Sequence, residues 1–410
     1  MRYKPIPDTE ALGISKATVN VRIGYIASSY NEQRNFLFAL PEHDYIKIPQ
    51  DDASRLPGGN WAEIWPRLKP YDRRFILSND PLQKVDVIHL FNGVSLGNSP
   101  WLTTFETVLP RVEILLQCHH GSACGYHRSN PRWLQLLVSA MSRDECLRLF
   151  ALSDCAVRMQ QRFLECIPGG LSIGRKLERL YPPQEPLCDR LSDKPDCLKD
   201  PLILTFVGRE FFRKGGLEML RALIDARRWS KEYRLNIVSS LQANDYATRR
   251  DISYARTARQ LIAQHSDWIT LHEELPHTKV IELMRRSHVG LLPTWADTFG
   301  YSVLEFQAAG CPVLTTDQRA LPEINSEQVG WIIRVPKNEL GEAIYSTPEE
   351  RRVLSDCIER GVHEWITNVL RDKRMIAVKA TGALCRIRAI HSPRCHADRL
   401  RGVYSEAAVM

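Results

Sequence analysis

The sequence predicts an α/β protein built as two doubly wound, Rossmann-like domains. Three observations carry this. The chain has 410 residues, more than one hydrophobic core usually supports, so two domains of about 200 residues are the natural division. Short apolar runs alternate with longer stretches of helical periodicity, the pattern of βαβ units and parallel sheets. A Pro- and Asp-rich stretch at 182–201 breaks the alternation near mid-chain, and a fresh apolar run starts directly after it.

In the first half, strands are expected at 21–27, 85–90, 101–104 and 147–152. In the second they are expected at 202–207, 235–238, 269–272, 289–293, 313–316 and 331–335. Several, such as LILTFV at 202–207, are continuous apolar runs, as strands buried on both faces are. Between them Leu217, Leu220, Leu223 and Ile224 share one helical face, and Val280, Leu283 and Met284 share another. A helix is expected from 302 to 309, closed by Gly310. Residues 366–410 are dense in arginine and lysine and carry no strand pattern. Within them 397–408 suits a helix with Leu400, Val403 and Tyr404 on one side. The expected division is thus 1–190, 200–365 and a helical tail at 366–410.

Composition narrows the function class without naming it. A formal charge of +7, with 44% hydrophobic and 25% charged residues, is ordinary for a globular protein. Nucleic-acid binding is not expected, because no Lys/Arg block is interleaved with aromatics. Eleven cysteines without a C-x-x-C pair fit reduced, mostly buried thiols in a cytoplasmic protein. No signal peptide is expected, and no run reaches the ~20 apolar residues that span a bilayer. His119, His120 and His127 with Cys118 and Cys124 match no standard metal spacing, so no metal is expected there. A peripheral contact with the inner membrane face through Arg143, Arg148, Arg158 and Arg162 is the less favoured reading of those residues. Solvated helix faces are preferred.

Two segments carry chemistry. In LILTFVGREFFRKGG, at 202–216, a buried strand feeds a loop with Arg209 and Lys214 before a helix opens at Gly215-Gly216. Open α/β sheets bind ligands at such strand ends, and the helix N-terminus favours an anion. Arg209 offers a bidentate fork and Lys214 a mobile point charge. In the stretch 291–323, Asp297 stands on a loop and Glu305 one turn inside the following helix, so both carboxylates can face the space above the strands. Ionised carboxylates accept hydrogen bonds from vicinal hydroxyls. Taken singly, each has a plainer reading. Arg209 and Lys214 can be surface cations, Ser302-x-x-Glu305 a capping box, and Asp297 an Asx-turn.

Together, the two segments resemble the C-terminal half of retaining GT-B glycosyltransferases of family 4. The matching residues are Val207-Gly208-Arg209 with Lys214-Gly215, then Asp297, seven residues and Glu305, with Phe299-Gly300, Ala308 to Val313, and Pro322-Glu323. The resemblance implies two such domains facing across a cleft, and transfer of a hexose-type sugar from a nucleotide-diphosphate sugar with retention. The acceptor it implies is a glycan or a lipid-linked sugar. No cofactor is implied beyond the nucleotide sugar as co-substrate. Arg209 and Lys214 would hold the diphosphate, Glu305 the ribose, and Asp297 would sit beside the sugar. Amides around Phe299, Gly300, Ser302 and Val303 would face sugar and phosphate. The segment 391–408 resembles the family's closing helix, which crosses back to the N-terminal domain.

The N-terminal half departs from the family pattern. The loop at 28–35 lacks a glycine-rich turn. Glu106 stands where many members carry histidine, and it can act as an acceptor or base toward a hydroxyl, or pair with Arg111 or Arg128. Ser239-Ser240 replaces a usual Gly-x-Gly. A phosphorylase or epimerase on the same fold, and a non-catalytic relative, are the alternatives.

Overall fold

The computed structural model describes residues 20–49, 68–118 and 132–409. Within them, two six-stranded sheets each pair their strands in parallel throughout. The first has the order β2-β1-β4-β6-β7-β8. Its strands are β1 (Arg22–Tyr25), β2 (Asp44–Lys47), β4 (Val87–Phe91), β6 (Trp101–Phe105), β7 (Cys146–Ala151) and β8 (Leu177–Arg179). Two-residue strands β3 (Ile76–Leu77) and β5 (Val94–Ser95) form a separate small pair. The second sheet has the order β11-β10-β9-β12-β13-β14. It contains β9 (Leu202–Val207), β10 (Tyr233–Val238), β11 (Ile269–His272), β12 (Val289–Leu292), β13 (Val313–Thr316) and β14 (Trp331–Ile333).

Both orders run outward from a central strand in two directions, so each sheet has a switch point, β1/β4 in the first and β9/β12 in the second. The crevice above such a point is where doubly wound sheets take ligands. The helices that matter for the site are α1 (Tyr30–Asn35), α2 (Asp154–Glu165), α3 (Gly216–Ala226), α4 (His277–Arg286) and α5 (Tyr301–Ala308). The last three are α6 (Pro348–Arg371), α7 (Arg374–Ile390) and α8 (Pro393–Ala407).

Each sheet buries its own core. Leu204, Phe206, Leu235 and Leu291 pack under Leu217, Leu220 and Leu223 of α3, and Leu354, Ile358 and Ile366 of α6 join them. Thr347 and Glu350 start α6 with a capping box. Helix α8 belongs to the other sheet. Its Leu400, Val403, Tyr404 and Ala407 pack with Val21, Ile23, Phe36, Val87 and Phe150, and Tyr404 Oη lies 2.7 Å from buried His89 Nδ1. Arg399 pairs with Glu178 at 2.5 Å and Arg401 with Glu42 at 2.8 Å around that helix. A further bridge joins the two halves. Glu323, after β13, accepts from the amides of Asp154 and Cys155 at the start of α2, at 2.7 and 2.6 Å.

The long strands lie where the sequence predicts them, and four short ones are additional. Strands β2 and β8 carry no fully buried residue, and β3 and β5 are two residues long, so none shows an apolar run. Helix α5 opens at Tyr301 with Gly300 as its cap, not at Ser302. Ser302 is therefore inside the first turn and Glu305 beyond it, and no capping box forms. Between β8 and β9 only the short turn Leu191–Asp193 is regular. Described cysteines are free thiols, four of them buried but Cys385 and Cys395 exposed, so "mostly buried" overstates their placement. Burial pushes the Cys146 thiol up to about 12 and Cys155 to about 11. No helix among the described residues is long and apolar enough to cross a membrane. Arg143, Arg148, Arg158 and Arg162 each face a carboxylate, of Glu145, Glu406, Glu323 and Glu165.

Candidate active site

The site is built where the loops after β9 and β12 meet. Residues 208–215 leave β9 and turn into α3 through Gly215, whose φ of +76° is left-handed. A Cβ there would lie 1.9 Å from the Pro293 carbonyl oxygen, so only glycine lets the two loops touch. Phe211 and Phe212 anchor the first loop in the core, with Phe211 edge-on to Phe206 at 5.5 Å. The Arg213 carbonyl accepts from the Trp295 amide at 2.9 Å and from Thr294 Oγ1 at 3.1 Å. Its guanidinium donates to the Ala296 carbonyl at 2.7 Å.

Held this way, Lys214 Nζ reaches Asp297 and forms a buried ion pair. Burial pulls the lysine below its ordinary value, and Asp297 opposes this. For Asp297 burial pushes upward, but Lys214 and Arg213 outweigh it and hold the carboxyl below the usual range. Asp297 is therefore a paired carboxylate, and its Asx-turn reading falls. Arg209 differs. Its side chain is exposed and has no ion-pair partner among the described residues, while Ser239 and Ser240 donate to its carbonyl at 3.2 and 3.3 Å. The two serines that replace glycines thus fix the backbone beneath the free guanidinium.

Glu305 is buried and is the meeting point of three elements. Its Oε1 accepts from Tyr30 Oη of α1 at 2.6 Å and lies 3.1 Å from His277 Nε2 at the start of α4. Its Oε2 accepts from no described residue. Burial pushes Glu305 upward, but the bonds to His277 and Tyr30 and the nearby Arg34 leave it below its ordinary value. The bond to Glu305 raises the imidazole of His277 in turn. Asn35, also on α1, donates to Tyr301 Oη at 2.7 Å. The guanidinium carbon of Arg34 sits 6.0 Å from the ring of Tyr30 and 5.7 Å from that of Tyr301. Gly300 caps α5 at φ +96° and contributes no side-chain bond, so the first-turn amides have no side-chain acceptor at the cap. The side chains of Phe299 and Val303 are core, and Ser302 is half-buried.

Glu106, just after β6, faces this space from the first sheet. Its amide donates to Asn92 Oδ1 at 3.0 Å. Its carboxylate Oε2 lies 3.4 Å from Arg111 Nη1, one of the two pairings the sequence offered. The other, Arg128, lies outside the described residues, as do His119, His120, Cys124 and His127. No group of three metal-ligating side chains occurs among the described residues. A cavity of about 470 Å³, lined by Trp331, Arg360, Glu364 and Trp365, opens beside edge strand β14 and not at this crevice.

The structure brings Lys214, Asp297, Glu305, Glu106 and Arg209 to the strand ends that face the other sheet. It adds Tyr30, Arg34, Asn35 and His277, which the sequence does not single out, and gives Glu323, known only as the end of a matching block, its partners in α2. None has a spacing signal. Tyr30 and Glu305 are 275 positions apart.

The model of the family described as glycosyl transferases group 1 matches residues 201–347. Two curated relatives, both "Glycogen synthase" from strains of Mycobacterium tuberculosis, are 31% identical over 257 residues. The match takes in 60% of this chain and 56% of theirs, so the chain spans just over half the length of these relatives. Among solved structures, Anabaena Alr3699/HepE in complex with UDP-glucose aligns with a TM-score of 0.58 at 12% identity, over 94% of this chain and 100% of that one. Sucrose-phosphate synthase from Thermosynechococcus elongatus aligns at 0.55 and 14%, over 94% and 99%. A glycosyltransferase from Rickettsia africae aligns at 0.56 and 13%, over 95% and 99%. The chain therefore has the two-domain GT-B fold, and its second domain carries a segment that matches the glycosyl transferases group 1 model.

Proposed function

We propose that the protein is a glycosyltransferase that uses a nucleotide-diphosphate sugar. The observation that carries this reading is the pairing of Lys214 with Asp297, on the loop that leads into the helix carrying Glu305, at the β9/β12 switch point and inside the segment that matches the family model. A cation and a carboxylate in contact suit a ligand that presents both an anion and hydroxyls. On donor binding Lys214 exchanges Asp297 for the diphosphate, and Asp297 turns to the hydroxyls of the sugar. Arg209 supplies a second cation, the amides from Phe299 to Val303 face the phosphate, and Glu305 Oε2 takes the ribose.

The difficult step is loss of the nucleoside diphosphate, which gathers negative charge as the sugar becomes oxocarbenium-like. Cations already in place stabilise that charge more in the transition state than in the ground state, which raises the rate. The diphosphate charge is thus met by protein cations. The sugar is a hexose, transferred with retention to a glycan or lipid-linked acceptor, and the leaving diphosphate or Glu106 takes the acceptor's proton. The protein works in the cytoplasm. UDP and UDP-glucose, bound by the Anabaena neighbour, are the first donors to try.

The test is a thermal-shift screen of nucleoside diphosphates and nucleotide sugars, followed by calorimetry on Lys214→Ala. Loss of a charge-assisted contact is worth about 1.5–3 kcal/mol, so diphosphate affinity should fall about 10- to 150-fold. Unchanged affinity overturns the assignment.

A further inference from the structure

We infer that Tyr30 is a positioning residue for Glu305, through which an occupied nucleotide site holds the two domains together; this rests on the donor-site reading above. The contact is specific. A phenol can donate one hydrogen, and Tyr30 gives it to Glu305 Oε1 at 2.6 Å. His277 Nε2 meets the same oxygen at 3.1 Å. Two donors fill the lone pairs of Oε1 and turn the carboxylate so that Oε2, without a partner among the described residues, is the oxygen presented to an incoming hydroxyl. The two donors come from different domains, since α1 follows β1 of the first sheet and α4 follows β11 of the second.

The rest of α1 supports this contact. Tyr30 and Arg34 lie one turn apart on the helix at i and i+4, and Asn35 is the next residue. Asn35 donates to Tyr301 Oη at 2.7 Å, and Arg34 lies within 6.0 Å of both tyrosine rings. The Asn35 bond and the Arg34–Tyr301 contact both end on α5, the helix that carries Glu305. A glycine-rich turn at this point in the chain has no side chains to reach that far; this sequence puts a helix with three reaching side chains there. Separation of the domains breaks the Tyr30 bond and releases Glu305 to rotate. By linkage, a hydroxyl pair that needs Glu305 oriented must favour the closed arrangement by the same factor that closure favours the nucleotide.

Calorimetry on wild type, Tyr30→Phe, Glu305→Gln and the double variant tests this, with UDP, ADP, GDP, dTDP and inorganic pyrophosphate as probes. Tyr30→Phe should weaken the nucleoside diphosphate that binds by about tenfold, the value of one hydrogen bond to a charged group. It should leave pyrophosphate, which has no ribose, unchanged. On the Glu305→Gln background the second substitution should cost less than about twofold, because interacting residues are not additive. Wild-type nucleotide affinity in Tyr30→Phe overturns the inference, as does an equal loss for pyrophosphate, which would mark a general structural defect. A wild type that binds pyrophosphate but none of the four nucleotides overturns the donor-site reading and this inference with it.

Discussion

Among single residues, those whose role depends on a near neighbour in sequence were legible, and those that act across the cleft were not. Asp297 and Glu305 announce themselves by spacing, and Lys214 by its place between a buried strand and two glycines. Their partners were not all legible. Lys214 meets Asp297 from 83 positions away, and Tyr30 meets Glu305 from 275. The capping-box reading of Glu305 failed for a local reason. Gly300 adopts a left-handed cap and starts the helix early, which carries Ser302 past the position from which a hydroxyl can cap. Glu106 is the residue whose chemistry is most open to measurement. It is buried, one oxygen faces Arg111 at 3.4 Å, and its charge acts on both Lys214 and Tyr301. With saturating donor, Glu106→Gln should lower turnover about 100-fold with normal nucleotide affinity, the usual worth of a positioned proton acceptor. Wild-type turnover would reduce Glu106 to its bond with Arg111.

For whole elements, burial decided legibility. The central strands β4, β6, β9, β12 and β13 are almost wholly buried and read as apolar runs. Edge strands β2 and β8 bury none of their residues fully and leave no pattern. The sequence predicts that a helix opens at Gly215-Gly216, and the structure asks more of the pair than that. Gly215 lets loop β9–α3 rest on the carbonyl of Pro293, and this contact sets the reach of Lys214 to Asp297. Gly215→Ala combines an unfavourable left-handed residue, at about 1–2 kcal/mol, with a backbone clash that must be relieved by moving a loop. Its melting temperature should fall by about 4–8 °C, scaled for a domain of this size. Gly174→Ala, where a Cβ meets nothing within 4 Å, should leave it unchanged. Equal melting of the two variants by calorimetric scan would remove the packing argument.

For the whole molecule, the two halves are joined by more than the linker. Glu323 caps α2 from across the cleft and lies 3.5 Å from Arg158. On the same face Cys155 and Met159 pack with Leu340. The Pro322-Glu323 pair was visible in sequence as the end of a family block, whereas its partner helix lies about 170 positions earlier. Glu323→Ala should cost about 1 kcal/mol for a lost helix cap and let the domains part. Small-angle scattering of the unliganded protein should then show a larger radius of gyration than wild type, and an identical profile would show that the clasp does not set the spacing.

Helix α8 has a consequence for how the protein is made. Leu400, Val403, Tyr404 and Ala407 complete a core whose other walls were laid down by residues 21–150. During synthesis the first sheet therefore leaves the ribosome with one side of its core bare, and stays so while the entire second domain is translated and folds. The early half must wait for the late helix, and an interrupted translation product that stops before residue 393 would carry a finished second domain beside an unsealed first one.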